Sequence, residues 1–213
     1  LLHEEVQVRG ESVDPGVRLA AVDPAHEVGS PSLVEMRQRL ASASPVVETV
    51  VRVPGGEVVQ RSWAVAAGSD VPEGGAVVVE LENAAPVPVA VAFAVRPFNP
   101  LGRALVSAIT LDGTVVSVDG RPAVILPKPP SRTATGSSAL DAVVATVAGD
   151  AVATWPQGGA RCSAGRASAA FLFPLPHTAT VRVLLPLVPV RPAVARRRVD
   201  ASPPDPKAAP EWA

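Results

Sequence analysis

The chain has no tyrosine, one cysteine, one methionine and three histidines in 213 residues, and aromatics make up only 3% of it. Each shortage closes a route. A lone cysteine, Cys162, cannot form an internal disulfide, so no disulfide framework stands in for a core, and the compartment is left open. His3, His26 and His177 are scattered, with neither a His-x-x-x-His nor a Cys-x-x-Cys, so the ligand spacing of a zinc site is missing. With three tryptophans and four phenylalanines, the core has to be aliphatic. The longest apolar runs are broken by Arg or Pro short of the roughly 18 residues a membrane-spanning helix needs. The formal net charge of −1 supplies no general attraction to nucleic acid or an anionic membrane, and neither is expected as a partner. No Gly-x-Gly-x-x-Gly joins a strand to a helix and no phosphate loop ends in Gly-Lys-Ser/Thr, so no cofactor is expected. The chain starts Leu-Leu-His-Glu-Glu, without Met or a basic leader, and the expectation is a fragment of a longer polypeptide.

What is present is Val, Ala and Leu in quantity, giving 47% hydrophobic residues, with 24 prolines and 16 glycines set between the apolar runs. A chain of this length buries roughly 70% of its unfolded surface, enough for one large core or two small ones. Seventeen of the 19 basic residues are Arg, a mark of GC-rich coding with no bearing on mechanism.

The clearest local signal lies between Val106 and Leu126, where Asp112-Gly113 and Asp119-Gly120 punctuate alternating apolar and polar residues. Asp-Gly accepts the positive φ angles of a type I′ turn, whose twist suits paired strands, so the segment predicts a three-stranded meander. Further strands are expected at Glu4–Val8, Val17–Val22, Leu33–Leu40, Val46–Val53, Glu57–Ala67 and Gly75–Asn83, with Pro54-Gly55-Gly56 as a three-residue hairpin loop. Pro88–Arg96 is almost wholly apolar and predicts a strand covered on both faces. Ala142–Ala148 reads as strand or short helix, and Gly149-Asp150 favours a hairpin. Ala167–Pro174 and Thr178–Leu185 complete the set. About a dozen closely spaced strands and no long helix predict an all-β fold, a large antiparallel sandwich of the supersandwich kind. The expected division is a sandwich over 1–188 and a Pro/Ala/Arg-rich linker over 189–213.

Candidate chemistry is sparse. Glu80 and Glu82 share one face of a strand, roughly 7 Å apart at Cα, a separation at which paired carboxylates serve glycosidases. A solvated charged face is the plainer reading and the one adopted. His177 has no Ser, Cys or acidic partner at a recognisable spacing, and Cys162 reads as a small strand residue even though Arg161 precedes it. Arg196-Arg197-Arg198 reads as a solvated or interdomain surface. The segment Arg96–Gly102 holds the most interesting group. Two prolines remove ladder donors, so a loop is expected, and Arg96, Phe98 and Asn99 are candidates for contact with a neighbouring domain or a sugar.

Glu82-Asn83, then Arg96-Pro97-Phe98-Asn99-Pro100-Leu101-Gly102, the Asp-Gly meander, Leu126-Pro127-Lys128-Pro129-Pro130-Ser131-Arg132 and Phe171-Leu172-Phe173-Pro174-Leu175-Pro176-His177-Thr178 follow in an order with a family likeness. Over Gly75 to Leu187 the chain resembles the N-terminal β-sandwich of actinobacterial glycoside-hydrolase-like proteins. In those proteins the sandwich precedes an (α/α)6 toroid, as in glucoamylase-type and glycogen-debranching-type enzymes. The resemblance implies a non-catalytic domain that packs against a helical glycosidase domain of the same polypeptide and shapes its cleft. In such enzymes the catalytic carboxylates belong to the helical domain, so it assigns no catalytic residue here. An oligosaccharide is the second partner it implies. Two other readings remain open: a free-standing carbohydrate-binding module, which stacks sugars on aromatic rings this chain has few of, and a structural or adhesion-type sandwich.

Overall fold

The computed structural model describes residues 17–22, 36–41, 45–53, 55–66, 74–99, 102–137 and 141–188, with backbone alone for 17–22, 98–99 and 102–103. The expected strand at Glu4–Val8, residues 33–35, the linker and Arg196–Arg198 lie outside these. In chain order the strands are β1 (Val17–Val22), β2 (Met36–Leu40), β3 (Val47–Val53), β4 (Gly56–Val65), β5 (Ala76–Asn83), β6 (Val89–Val95), β7 (Phe98–Asn99) and β8 (Gly102–Arg103). Then come β9 (Ala108–Asp112), β10 (Val115–Val118), β11 (Arg121–Ile125) and β12 (Arg132–Gly136), the helix α1 (Ala142–Val147), and β13 (Ala160–Arg161), β14 (Ser168–Leu175) and β15 (Thr180–Pro186).

Two antiparallel sheets face each other, and the fold is an all-β sandwich. One has the order β1-β6-β14-β12, the other β13-β9-β10-β11-β15-β5-β4-β3-β2, while β7 and β8 pair apart. Period-two alternation places the core between them. Val91, Phe93, Phe171, Phe173 and Leu175 point in from the smaller sheet and meet Val79, Leu81, Ile109, Val116, Val181 and Val183 from the larger. Phe93 and Phe173 meet edge to face at 5.8 Å between centroids.

The outer positions of β6 are Ala90, Ala92 and Ala94. That run of small side chains lets α1 approach: Ala94, Ala134 and Ala170 from the sheet pack with Ala142 and Ala145 of the helix. The apolar β6 is thus covered on both faces, as its composition predicts.

The meander forms as expected, with a correction at its first turn. Asp112 pairs with Val115, so the turn residues are Gly113 and Thr114 rather than Asp112-Gly113. Only Gly113 takes a positive φ there (62°), the pattern of a type II′ turn. The second turn is Asp119-Gly120, with φ of 48° and 78°, the type I′ pattern. The Asp119 carboxylate accepts hydrogen bonds from the N–H groups of Ser107 and Ala108, at 3.0 and 2.8 Å, which fixes the turn against the start of β9. Pro122 sits in β11 beside a bulge, where the ladder shifts register and its missing N–H goes unneeded.

Three further expectations are corrected. Of the two readings open for 142–148, the short helix is the one that forms, over 142–147, and the hairpin favoured by Gly149-Asp150 does not. Asp141 caps it by accepting from the Val143 N–H at 2.8 Å, and Ser168 Oγ accepts from the Ala142 N–H at 2.9 Å. Gly149-Asp150 is the helix stop: Gly149 N–H donates to Thr146 and Asp150 N–H to Ala145, a Schellman motif with Gly149 at φ 86°. Between β3 and β4, Val53 pairs with Gly56, so the hairpin loop has two residues, not three. Finally, Arg96–Gly102 is not an irregular loop throughout, since Phe98 and Asn99 pair with Arg103 and Gly102 in a small hairpin.

Candidate functional site

Registers β15–β5–β4–β3–β2 bring one charged residue from each strand into a single row across the outer face of the larger sheet. Arg182 lies opposite Glu80, Glu80 opposite Arg61, Arg61 opposite Glu48, and Glu48 opposite Arg39. The signs alternate, so every neighbour attracts. Arg61 is the hub: its Nε lies 3.1 Å from Glu48, and its Nη1 lies 3.2 Å from Glu80 and 2.7 Å from Glu82. Arg182 clasps the other oxygen of Glu80. Arg39 reaches Glu48 through Nε at 2.8 Å and through its terminal nitrogen at 2.6 Å.

The Glu80 residue is only 7% exposed, so the solvated face expected for Glu80 and Glu82 is corrected: the pair is clamped by arginines. Hydrogen bonds from Arg39, opposed by burial and reinforced by Arg61, hold the Glu48 carboxyl below the usual carboxylate range. Burial opposes the charge of Arg61, but the hydrogen bonds and charges of Glu82, Glu48 and Glu80 outweigh it and hold its pKa above the ordinary arginine value. With Arg61 and Arg182 seated on their oxygens, Glu80 and Glu82 are held by the sheet and do not face one another across an open cleft, as the carboxylates of a glycosidase must.

The row continues sideways into apolar residues. Val115, Ile125, Leu184 and Val78, with Ala76, form a second cluster on this face, with Trp63 and Val65 packed against it. The Trp63 indole Nε1 is buried and finds no hydrogen-bond partner among the described residues.

Of the other candidates, Arg96 is drawn inward. Its Nε donates to Asp141 Oδ2 at 2.8 Å while Asp141 Oδ1 caps α1, so the guanidinium ties the end of β6 to the helix. Phe98 and Asn99 follow in the β7–β8 hairpin, closed at its base by Ala104 N–H to Pro97 O at 3.2 Å. His177 is exposed, and its Nδ1 lies 2.7 Å from the Ala85 carbonyl; a carbonyl only accepts, so Nδ1 carries the proton. The same corner is braced by Asn83, fully buried, which donates to Val87 O and Leu175 O and accepts from Ala85 N–H, each at 2.9 Å. Cys162 is half-buried against the core in a turn closed by Gly165 N–H to its carbonyl. Among the described residues no three His, Cys, Asp or Glu side chains gather where they could hold a metal ion.

Sequence reading missed Glu48, Arg61 and Arg182. The available signal was one or two charges in each of five largely apolar strands, whose alignment needs the register of all five. Comparison with known proteins finds no match among family models, curated proteins or solved structures.

Proposed function

We propose that this sandwich is a non-catalytic accessory domain of a carbohydrate-active enzyme, docking on a helical glycosidase domain of the same polypeptide and forming one rim of its cleft. One observation carries the non-catalytic half: the carboxylates that come closest to an acid–base pair, Glu80 and Glu82, are bound by Arg61 and Arg182 and act in the sheet. The aromatic rings support a docking role over a free-standing sugar-binding module. Phe93, Phe171 and Phe173 are buried in the core, and Trp155 stacks on Phe171 at 5.3 Å, so these rings present no platform to a pyranose.

The helical partner and its place rest on the family resemblance. Arg96, Phe98 and Asn99 are the proposed contact, because Arg96 ties the chain leading into the β7–β8 pair to α1 and so fixes where that pair emerges. The test is amide exchange at Phe98 and Asn99 in this chain alone and in the longer polypeptide that contains it. Docking predicts about tenfold slower exchange in the longer form, as for amides covered by a stable interface. Unchanged exchange, or a longer polypeptide without a helical domain, refutes the reading.

A further inference from the structure

The charge row on the larger sheet stops at an edge strand. Arg61 has a carboxylate on each flanking strand, Glu48 on β3 and Glu80 on β5. Arg39, in the same row, has Glu48 on β3 and, among the described residues, no strand on its other side. Among the described strands β2 is the last of the sheet, and alternate residues of an antiparallel edge turn their N–H and C=O groups away from their one neighbour.

Edges of this kind are normally blunted by charged side chains that project across them. Here the arginines fold the other way. Arg39 leans onto β3, and Arg37 reaches past β3 to Glu57 on β4, so both guanidinium groups lie back over the sheet. On the opposite face the edge presents Met36 and Leu40, 53% and 66% exposed. Large exposed apolar side chains are the reverse of a protective device.

We propose that β2 is a docking edge for a tenth strand, supplied by a protein segment in which acidic and apolar residues alternate. Its acidic side chains lie over the outer face, opposite Arg37 and Arg39, and continue the alternating row. Its apolar side chains cover Met36 and Leu40 on the other face. Main-chain hydrogen bonds supply the affinity and the two faces supply the specificity. The inference is independent of the carbohydrate reading, since it uses only the register and charge of this sheet.

The test titrates the 213-residue chain into a fluorescein-labelled peptide, Thr-Val-Glu-Val-Glu-Val-Thr, at low ionic strength, with anisotropy as the readout. A second peptide carries Lys in place of both Glu. Saturable binding of the acidic peptide, at least about fivefold tighter than the basic one, is expected from adding cross-strand pairs and removing like-charge contacts. Arg39→Glu should reverse the preference. Arg39→Gln, which sets no second carboxylate beside Glu48, should shrink it. The proposal is overturned by absence of saturable binding, or by equal affinity for both peptides in all three proteins. It is also overturned if the free chain already protects from exchange the β2 amides that point away from β3, or sediments as a dimer that excludes the peptide, because the edge then belongs to this chain or a second copy.

Discussion

Replacing Arg61 with methionine removes the hub of the charge row while keeping most of the aliphatic stem, so the loss reports the guanidinium. Three carboxylates lose a partner: Glu48 keeps Arg39, Glu80 keeps Arg182, and Glu82 keeps no arginine among the described residues. Exposed pairs contribute about 0–1 kcal/mol, and breaking a buried pair costs about 3–5 kcal/mol. The Arg61 side chain is 30% exposed and Glu80 9%, which puts the change between these limits, at about 2–3 kcal/mol. For a domain of this size that is a fall in Tm of about 4–12 °C. The pH dependence follows from Glu48, whose folded pKa lies below its ordinary 4.5. Its stabilisation is present above that value and disappears as pH falls through the folded pKa. The gap between wild type and Arg61→Met should therefore be widest near neutrality and narrow on acidification below pH 4.5. Urea unfolding at neutral and acidic pH, with m-values compared, measures both quantities. A loss under about 0.5 kcal/mol at neutral pH would mean the row is screened as an ordinary surface, and the case against free carboxylates would fall with it.

Two other perturbations probe the frame that holds this row. Gly120→Val meets no atom within 4 Å, so its effect is the strain of a β-branched residue at φ 78°, about 1–2 kcal/mol by urea unfolding; an unchanged midpoint would contradict the type I′ turn. Phe171→Ala should lose about 3–5 kcal/mol as a cavity opens in the core, and should red-shift the emission of Trp155, which stacks on that ring.

The sequence carried the strands well because their signals are local. Alternation in Ala76–Asn83 places Val77, Val79 and Leu81 inward and Glu80 and Glu82 outward, as the sheets have them. Asp119-Gly120 marks its own turn. What was not legible depended on distant residues. Ala142–Val147 is rich in β-branched valine and looks extended; it becomes helical because Asp141 and Ser168 satisfy its first N–H groups and an alanine-lined sheet receives it. Asp112-Gly113 slipped by one residue because the partner strand, not the dipeptide, sets the register. The charge row was hidden for the same reason: Glu48 and Arg182 are 134 positions apart (182 − 48) and meet Arg61 and Glu80 only when three ladders are in place. Arg96 looked free in sequence because Asp141, its partner, lies 45 residues on.

The most direct measurement of the central claim, that the carboxylates of this sandwich hold the sheet and do no chemistry, is reducing-sugar release from soluble starch and maltoheptaose by the purified chain. Wild type and a Glu80→Gln variant with the wild-type circular dichroism spectrum are compared. No release above the buffer blank is expected from either. Hydrolysis by the wild type that disappears in Glu80→Gln would contradict the claim.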